Sequence, residues 1–207
     1  MTPMRDKVIL VDCDGVLMDW YYTFNQFMTV EKGHKRVSEI PDMSLHSTYD
    51  CSVEALYGYI REFNWSEDIV KLPPHKNAMY YIDLLHRKHG YVFHMITSMV
   101  RDDWDDEVYN DLARRARMKN TRKLFGETAF DRFLFTTDGD KKPFLVEYRD
   151  TGCFFIDDHP EHVKAANELG LEGLLMYHDY NAAAGKEGHL TMLSDWKHIY
   201  RYIAKEG

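Results

Sequence analysis

A chain of 207 residues, 44% hydrophobic and 14% aromatic, has material for one domain-sized core, or for one domain carrying a modest insertion. Its formal net charge of −8 opposes a non-specific grip on nucleic acid, and no window approaches the roughly 18 uninterrupted apolar residues of a membrane span. Cys13, Cys51 and Cys153 form no Cys-x-x-Cys pair and MTPMRDK leads straight into an apolar run, so the expectation is a cytoplasmic protein without a disulfide framework or a leader.

The first apolar run, VILVD at 8–12, has the length and β-branching of a buried strand. The next strand comes only after residue 90, far beyond what a crossover helix needs. Within that interval, residues 20–28 and 53–63 read as helices with a polar stretch at 38–50 between them. LPPHK at 72–76 then resets the chain. Residues 18–71 therefore read as a small helical insertion at the sheet's carboxyl edge, and residues 1–17 with 72–207 as the core.

HKNAMYYIDLLHRKH is a helix ended by Gly90, and YVFHMIT at 91–97 is the second strand. The connection 99–131 carries a helix in DDWDDEVYNDLARRARMKN and a short one near 121–125. RFLFTT at 132–137, CFFID at 153–157 and GLLMY at 173–177 complete five strands. Pro143 starts a helix, Pro160 opens PEHVKAANEL, Gly170 closes it, and DWKHIYRYIAK is last. Strands alternating with helices predict an α/β fold with a doubly wound, Rossmann-like parallel sheet.

Ligands bind such sheets at the carboxyl ends of the strands. Asp12, Thr97 and the Asp157-Asp158 pair all fall there, and Lys141 and Lys142 follow the third strand. Carboxylates facing one another across a crevice shift their pKa upward or destabilise the fold, and a bound hard cation removes the conflict. Mg²⁺ prefers carboxylate oxygens, water and a substrate phosphate. A threonine hydroxyl, backbone amides and a lysine beside that metal make a phosphate cradle.

DCDGVL, the strand-end ITS, a lysine before a helix and then FIDD resemble, in order and placement, the four motifs of the haloacid dehalogenase superfamily of phosphohydrolases. The insertion after the first motif is similar to that superfamily's first class of helical cap. VILVDCDGVLMDW with the ITS and IDD segments looks most like the 5'(3')-deoxyribonucleotidases. The resemblance implies Asp12 as nucleophile forming an aspartyl-phosphate and Asp14 as the acid and then base. It implies Mg²⁺ on Asp12, the Asp14 carbonyl and Asp158, with Asp157 in support, although either acid of the pair could be the ligand. Thr97 and Ser98 would bind the phosphoryl oxygens, and Lys141, or alternatively Lys142, would neutralise charge.

The function implied is hydrolysis of a small phosphate ester, a nucleoside monophosphate first, with Trp20 placed to contact the base. Other readings stay open: another small ester, nucleic-acid 3' ends, or a non-catalytic member that binds a phosphorylated ligand. Oligomeric state is not legible. Cys13 is expected to turn away from both acids into the core. DDWDDE reads as a helix N-terminus balanced by ARRAR on a solvated face. His159 and His162 read as a solvated helix start, the remaining histidines show no zinc spacing, and GKEG at 185–188 lacks the rest of a phosphate-binding loop.

Overall fold

Strands β1 (Val8–Val11), β2 (Val92–Ser98), β3 (Phe130–Thr136), β4 (Phe154–Asp157), β5 (Glu172–Met176) and β6 (Thr191–Leu193) form one sheet in the order β3-β2-β1-β4-β5-β6. Every pairing is parallel. The computed structural model describes residues 7–187 and 189–205, so the leader reading of residues 1–6 and Gly188 of GKEG lie outside them. The chain builds outward from β1 through β2 to β3, then returns to the other side of β1 to lay down β4, β5 and β6. That reversal opens a crevice beyond the carboxyl ends of β1 and β4.

The central strands are apolar because both of their faces are covered. Ile9, Val11, Phe93, Met95, Phe154 and Ile156 join one cluster. The same cluster takes in Ile82 and Leu85 of α3 (Ala78–Arg87), Ala113 and Phe125 of α4 (Glu107–Phe125), and Trp196 and Ile199 of α7 (Trp196–Ala204). Leu10, Ile96 and Phe155 pack on the opposite face with Leu145 of α5 (Lys142–Leu145) and Ala166 of α6 (Pro160–Glu168). Trp196 is fully buried, and its Nε1–H donates to Val16 O at 2.8 Å, tying the last helix to the loop that follows β1.

Between β1 and α3 lie α1 (Trp20–Gln26), continued by a π-helical stretch, and α2 (Val53–Trp65), followed by a 3-10 turn. Asp19 caps α1 through Tyr22 N–H, and Ser52 caps α2 through Ala55 N–H. The two chains that lead into and out of this stretch run side by side: Asp19 N–H donates to Pro73 O at 3.0 Å, and His75 N–H to Leu17 O at 2.8 Å. Phe24, Phe27, Met28, Leu56 and Phe63 from the stretch pack into the cluster on the sheet's first face.

Two expectations are corrected. The connection after β2 holds one continuous helix, α4, where two were expected; Asp106 caps it by accepting from Val108 and Tyr109 N–H, and Gly126 ends it. A sixth strand, β6, joins the sheet's edge; at three residues, all half-buried, it carries no period to read. Among the described residues, no helix is long and apolar enough to cross a membrane.

Candidate active site

The backbone leaves β1 at Val11 and turns at once. Asp12 N–H still pairs with Ile156 O of β4 at 2.9 Å, after which Leu17 and Met18 N–H both return to Cys13 O. Gly15 sits in this turn at φ +76°, and a Cβ there would lie 2.5 Å from Asp158 Oδ2 and 2.9 Å from the Tyr180 hydroxyl. Only glycine permits so close an approach in that conformation.

Lys141, 2% exposed, sits between two buried carboxylates, with Nζ 2.7 Å from Asp12 Oδ1 and 2.8 Å from Asp157 Oδ2. It donates a hydrogen bond to Asp157 and lies against Asp12 as a close ion pair with less favourable hydrogen-bond angles. Burial pushes Asp12 up to about 6, against the pull of Lys141, and the Asp157 charge adds to the rise. Burial would raise Asp157 too, but Lys141 and His162 outweigh it and hold that carboxyl below its ordinary range. Asp158 is raised well above that range by burial and by the neighbouring charges of Asp157 and Asp12. Lys142 is exposed and approaches only Glu168, at 3.8 Å, which makes Lys141 the lysine of this site.

One carboxylate oxygen each from Asp12, Asp157 and Asp158 lie within 4.8 Å of one another. Asp157 is already committed, accepting from Lys141, from His159 N–H at 2.8 Å and from His162 Nδ1–H at 3.3 Å. Asp12 and Asp158 are the acids left for a cation, and an all-oxygen set with like charges in contact suits Mg²⁺. Thr97, next to last in β2, lies in the same crevice, 1% exposed, its Oγ1 without a hydrogen-bond partner; Ser98 ends the strand, exposed.

These residues line a cavity of about 230 Å³ that Trp20, Tyr21, Asp42, Met43 and Leu45 close from the insertion side. Trp20 stacks on Phe24 at 4.5 Å, and its Nε1–H donates to Asn64 Oδ1 at 3.0 Å. Asn64 in turn donates to Met99 O at 2.8 Å, joining α2 to the loop after β2. Trp20 is thus fixed in the aromatic packing while also facing the cavity.

Several expectations change. Arg117, placed by sequence on a solvated face, is fully buried: its guanidinium pairs with both oxygens of Asp14, Nη2 to Oδ2 at 3.2 Å, and donates to Cys13 Sγ at 3.1 Å. Strict alternation fails at Cys13 because the strand has already ended, so Cys13 and Asp14 meet the same cation. Cys13 is nonetheless buried, and burial pushes its thiol up to about 12, so it is no thiolate. His159 and His162 belong to the cavity wall, where their rings stack at 4.5 Å. Sequence reasoning missed Arg117 and a third group, His178, Tyr180 and Asn181, which reaches Gly15 and Asp158 from the end of β5. The carboxyl-end rule that found Asp12 applies to HDYN as well.

Arg117 and Asp14 are unequally exposed, their side chains at 0% and 25%, which makes their loss unequal. Asp14→Ala leaves a buried guanidinium without its partner and is expected to cost about 3–5 kcal/mol. Arg117→Met leaves a carboxylate that water reaches, at a smaller cost, and the double variant should recover part of the Asp14→Ala loss. Urea denaturation of the four proteins measures this; additive losses would contradict the pairing.

No protein-family model matches the chain, and no curated protein sequence matches it. Solved structures do. A haloacid dehalogenase-like hydrolase from Streptococcus pneumoniae superposes with a TM-score of 0.64 at 13% identity, over 98% of this chain and 100% of its own. A D,D-heptose 1,7-bisphosphate phosphatase from B. bronchiseptica, complexed with magnesium and phosphate, gives 0.57 at 13% identity over 98% and 100%. An L-2-haloacid dehalogenase gives 0.54 at 17% identity over 95% and 98%. None of these three is a deoxyribonucleotidase, so that narrower resemblance rests on the sequence motifs. At these identities the likeness is one of architecture: the chain shares a Rossmann-like α/β core with these three structures.

Proposed function

We propose that the protein is a Mg²⁺-dependent phosphomonoester hydrolase that works through an aspartyl-phosphate on Asp12, with a nucleoside monophosphate as its substrate. The observation that carries the reaction class is the buried Asp12–Lys141–Asp157 bridge beside Asp158, with the unpartnered Thr97 hydroxyl facing the same crevice. Three carboxylates outnumber the single Lys141 ammonium, so the crevice calls for a divalent cation, and a phosphoryl group would fit beside that cation and Lys141.

Asp12, the Asp14 carbonyl and Asp158 would hold the metal. When bound, Mg²⁺ supplies charge neutralisation for the Asp12 carboxylate and the phosphoryl oxygens. Asp12 attacks phosphorus and forms the acyl phosphate as the ester oxygen departs. Asp14, once it leaves Arg117 and takes up a proton from solvent, would give that proton to the departing oxygen and then accept one from the water that hydrolyses the intermediate. Thr97 Oγ1, Ser98 and Lys141 Nζ bind the transferring oxygens. We assign residues 18–71 to a cap and residues 1–17 and 72–207 to the core; the cap closes the cavity against water and polymers.

Two observations support the substrate class. Lys141 is the one lysine or arginine among the described residues lining the cavity, which suits a single phosphate. Trp20 and Tyr21, with Met43 and Leu45, offer a largely apolar wall for a planar group. A phosphatase panel of nucleoside monophosphates and sugar phosphates, with and without Mg²⁺, tests the reading. Trp20→Ala is expected to lower kcat/KM for the nucleotide about tenfold to a hundredfold while barely changing hydrolysis of acetyl phosphate. Equal losses on both, with a lower melting temperature, would assign Trp20 to packing alone and remove the nucleotide.

The carboxylates also predict a pH dependence. Asp12, raised from 3.8 to about 6, and Asp158, also raised, bind protons more tightly in the folded chain than in the unfolded one. In the metal-free protein the contribution of Asp12 to stability is therefore full below its unfolded value of 3.8 and is lost as pH rises through about 6, and that of Asp158 is lost as pH rises through its own raised value. Asp157 has the opposite sign, and its contribution is lost only at more acid pH. A cation requires the deprotonated acids, so the rise in melting temperature on adding Mg²⁺ should be small near about pH 5 and large near about pH 7. A rise that does not vary with pH would contradict the assignment of these acids as ligands.

A further inference from the structure

We propose that the segment after β5, residues 178–181, is a clamp that positions Asp158 and Gly15 for the cation, a role that rests on the Mg²⁺ reading above. Its side chains reach different atoms of the other two strand ends. His178 Nε2–H donates to Gly15 O at 2.7 Å, Tyr180 O–H donates to Asp158 Oδ2, and Asn181 Nδ2–H donates to Asp158 O at 2.8 Å.

The clamp is itself braced. Asn181, 3% exposed, also donates to Met176 O at 2.8 Å at the end of β5 and accepts from His178 N–H at 2.8 Å. The His178 and Tyr180 rings stack at 4.7 Å with 7° between planes, and His75 meets the His178 ring edge-on at 5.4 Å. A donor on Oδ2 fixes the rotation of the Asp158 carboxylate, while the donor on its carbonyl fixes the backbone below. The same hydroxyl lies where a Cβ on Gly15 would come within 2.9 Å, so carboxylate, hydroxyl and glycine turn form one packed contact.

A carboxylate with a fixed rotation gives up less freedom when it ligates a metal. Hydrogen-bond partners of this kind act on affinity without touching the ion. Tyr180 is a positioning residue by this geometry, and it acts through Asp158.

Calorimetric titration of the whole protein with MgCl₂ tests the clamp. Tyr180→Phe keeps the ring and its stacking and removes one hydroxyl; the Mg²⁺ dissociation constant is expected to rise about tenfold to a hundredfold. The melting temperature of the metal-free protein should stay at the wild-type value. Tyr177→Phe, which removes a surface hydroxyl bonded to Asp179 at 3.0 Å, should leave the affinity unchanged. Equal Mg²⁺ affinity in wild type and Tyr180→Phe, or an equal loss in Tyr177→Phe, would overturn the clamp and leave the metal site standing. A wild-type protein that binds no Mg²⁺ would overturn both.

Discussion

Lys141 resolves a conflict that would otherwise keep this sheet from closing. Asp12 at the end of β1 and Asp157 at the end of β4 are brought together because the two strands pair directly, at sites 8% and 0% exposed. Two carboxylates buried this closely cannot both stay charged without a cation between them. The ammonium of Lys141 supplies it, and the turn after β3 that delivers Lys141 must return to the centre of the sheet to do so. Asp157 takes the larger share of that charge, which leaves Asp12 and Asp158 under-compensated and facing a cavity. The same arithmetic recurs at Asp14, where a fully buried guanidinium from α4 holds the next carboxylate of the motif.

Each strand end contributes one kind of group to this crevice. β1 brings Asp12 and the Gly15 turn, β2 brings Thr97, the segment after β3 brings Lys141, β4 brings the acid pair, and the end of β5 brings the donors of residues 178–181. The insertion then supplies what the sheet cannot, an apolar wall. It is anchored to the core by the shared apolar cluster and by a polar chain from Trp20 to Asn64 to Met99 O, with aromatic packing within. On the proposed function, selectivity and chemistry would sit on different parts of the chain, with Trp20 at the junction.

Much of this was legible because strand ends are legible. Apolar runs bounded by acids or Thr gave β1, β2 and β4, and the rule that ligands gather at carboxyl ends pointed to Asp12, Thr97, the acid pair and the adjacent Lys141 and Lys142, between which it did not choose. What stayed hidden has a common cause. The buried face of α4 carries Asn110, Arg117, Asn120 and Thr121 beside Ala113 and Phe125, while Val108 and Leu112 are exposed, so hydrophobic periodicity points away from the true inner face. A buried arginine is visible only through its partner. Tyr180 and Asn181 act by donating to groups far away in sequence, and no spacing announces that. His162 reads in sequence as a helix-start residue, and only the fold brings it beside Asp157. β6 is held by β5 alone, and three residues leave no pattern.

In the proposed reaction Asp12, raised by burial and only partly compensated by Lys141, carries the phosphoryl group. Rapid acid quench during turnover of a nucleoside monophosphate with Mg²⁺, followed by mass spectrometry of the peptide that contains Asp12, measures this directly. The account predicts that this peptide gains the mass of one phosphoryl group, and that Asp12→Asn shows neither the adduct nor hydrolysis. A phosphoryl group found on His159 or His162 instead, or undiminished hydrolysis by Asp12→Asn, would contradict it.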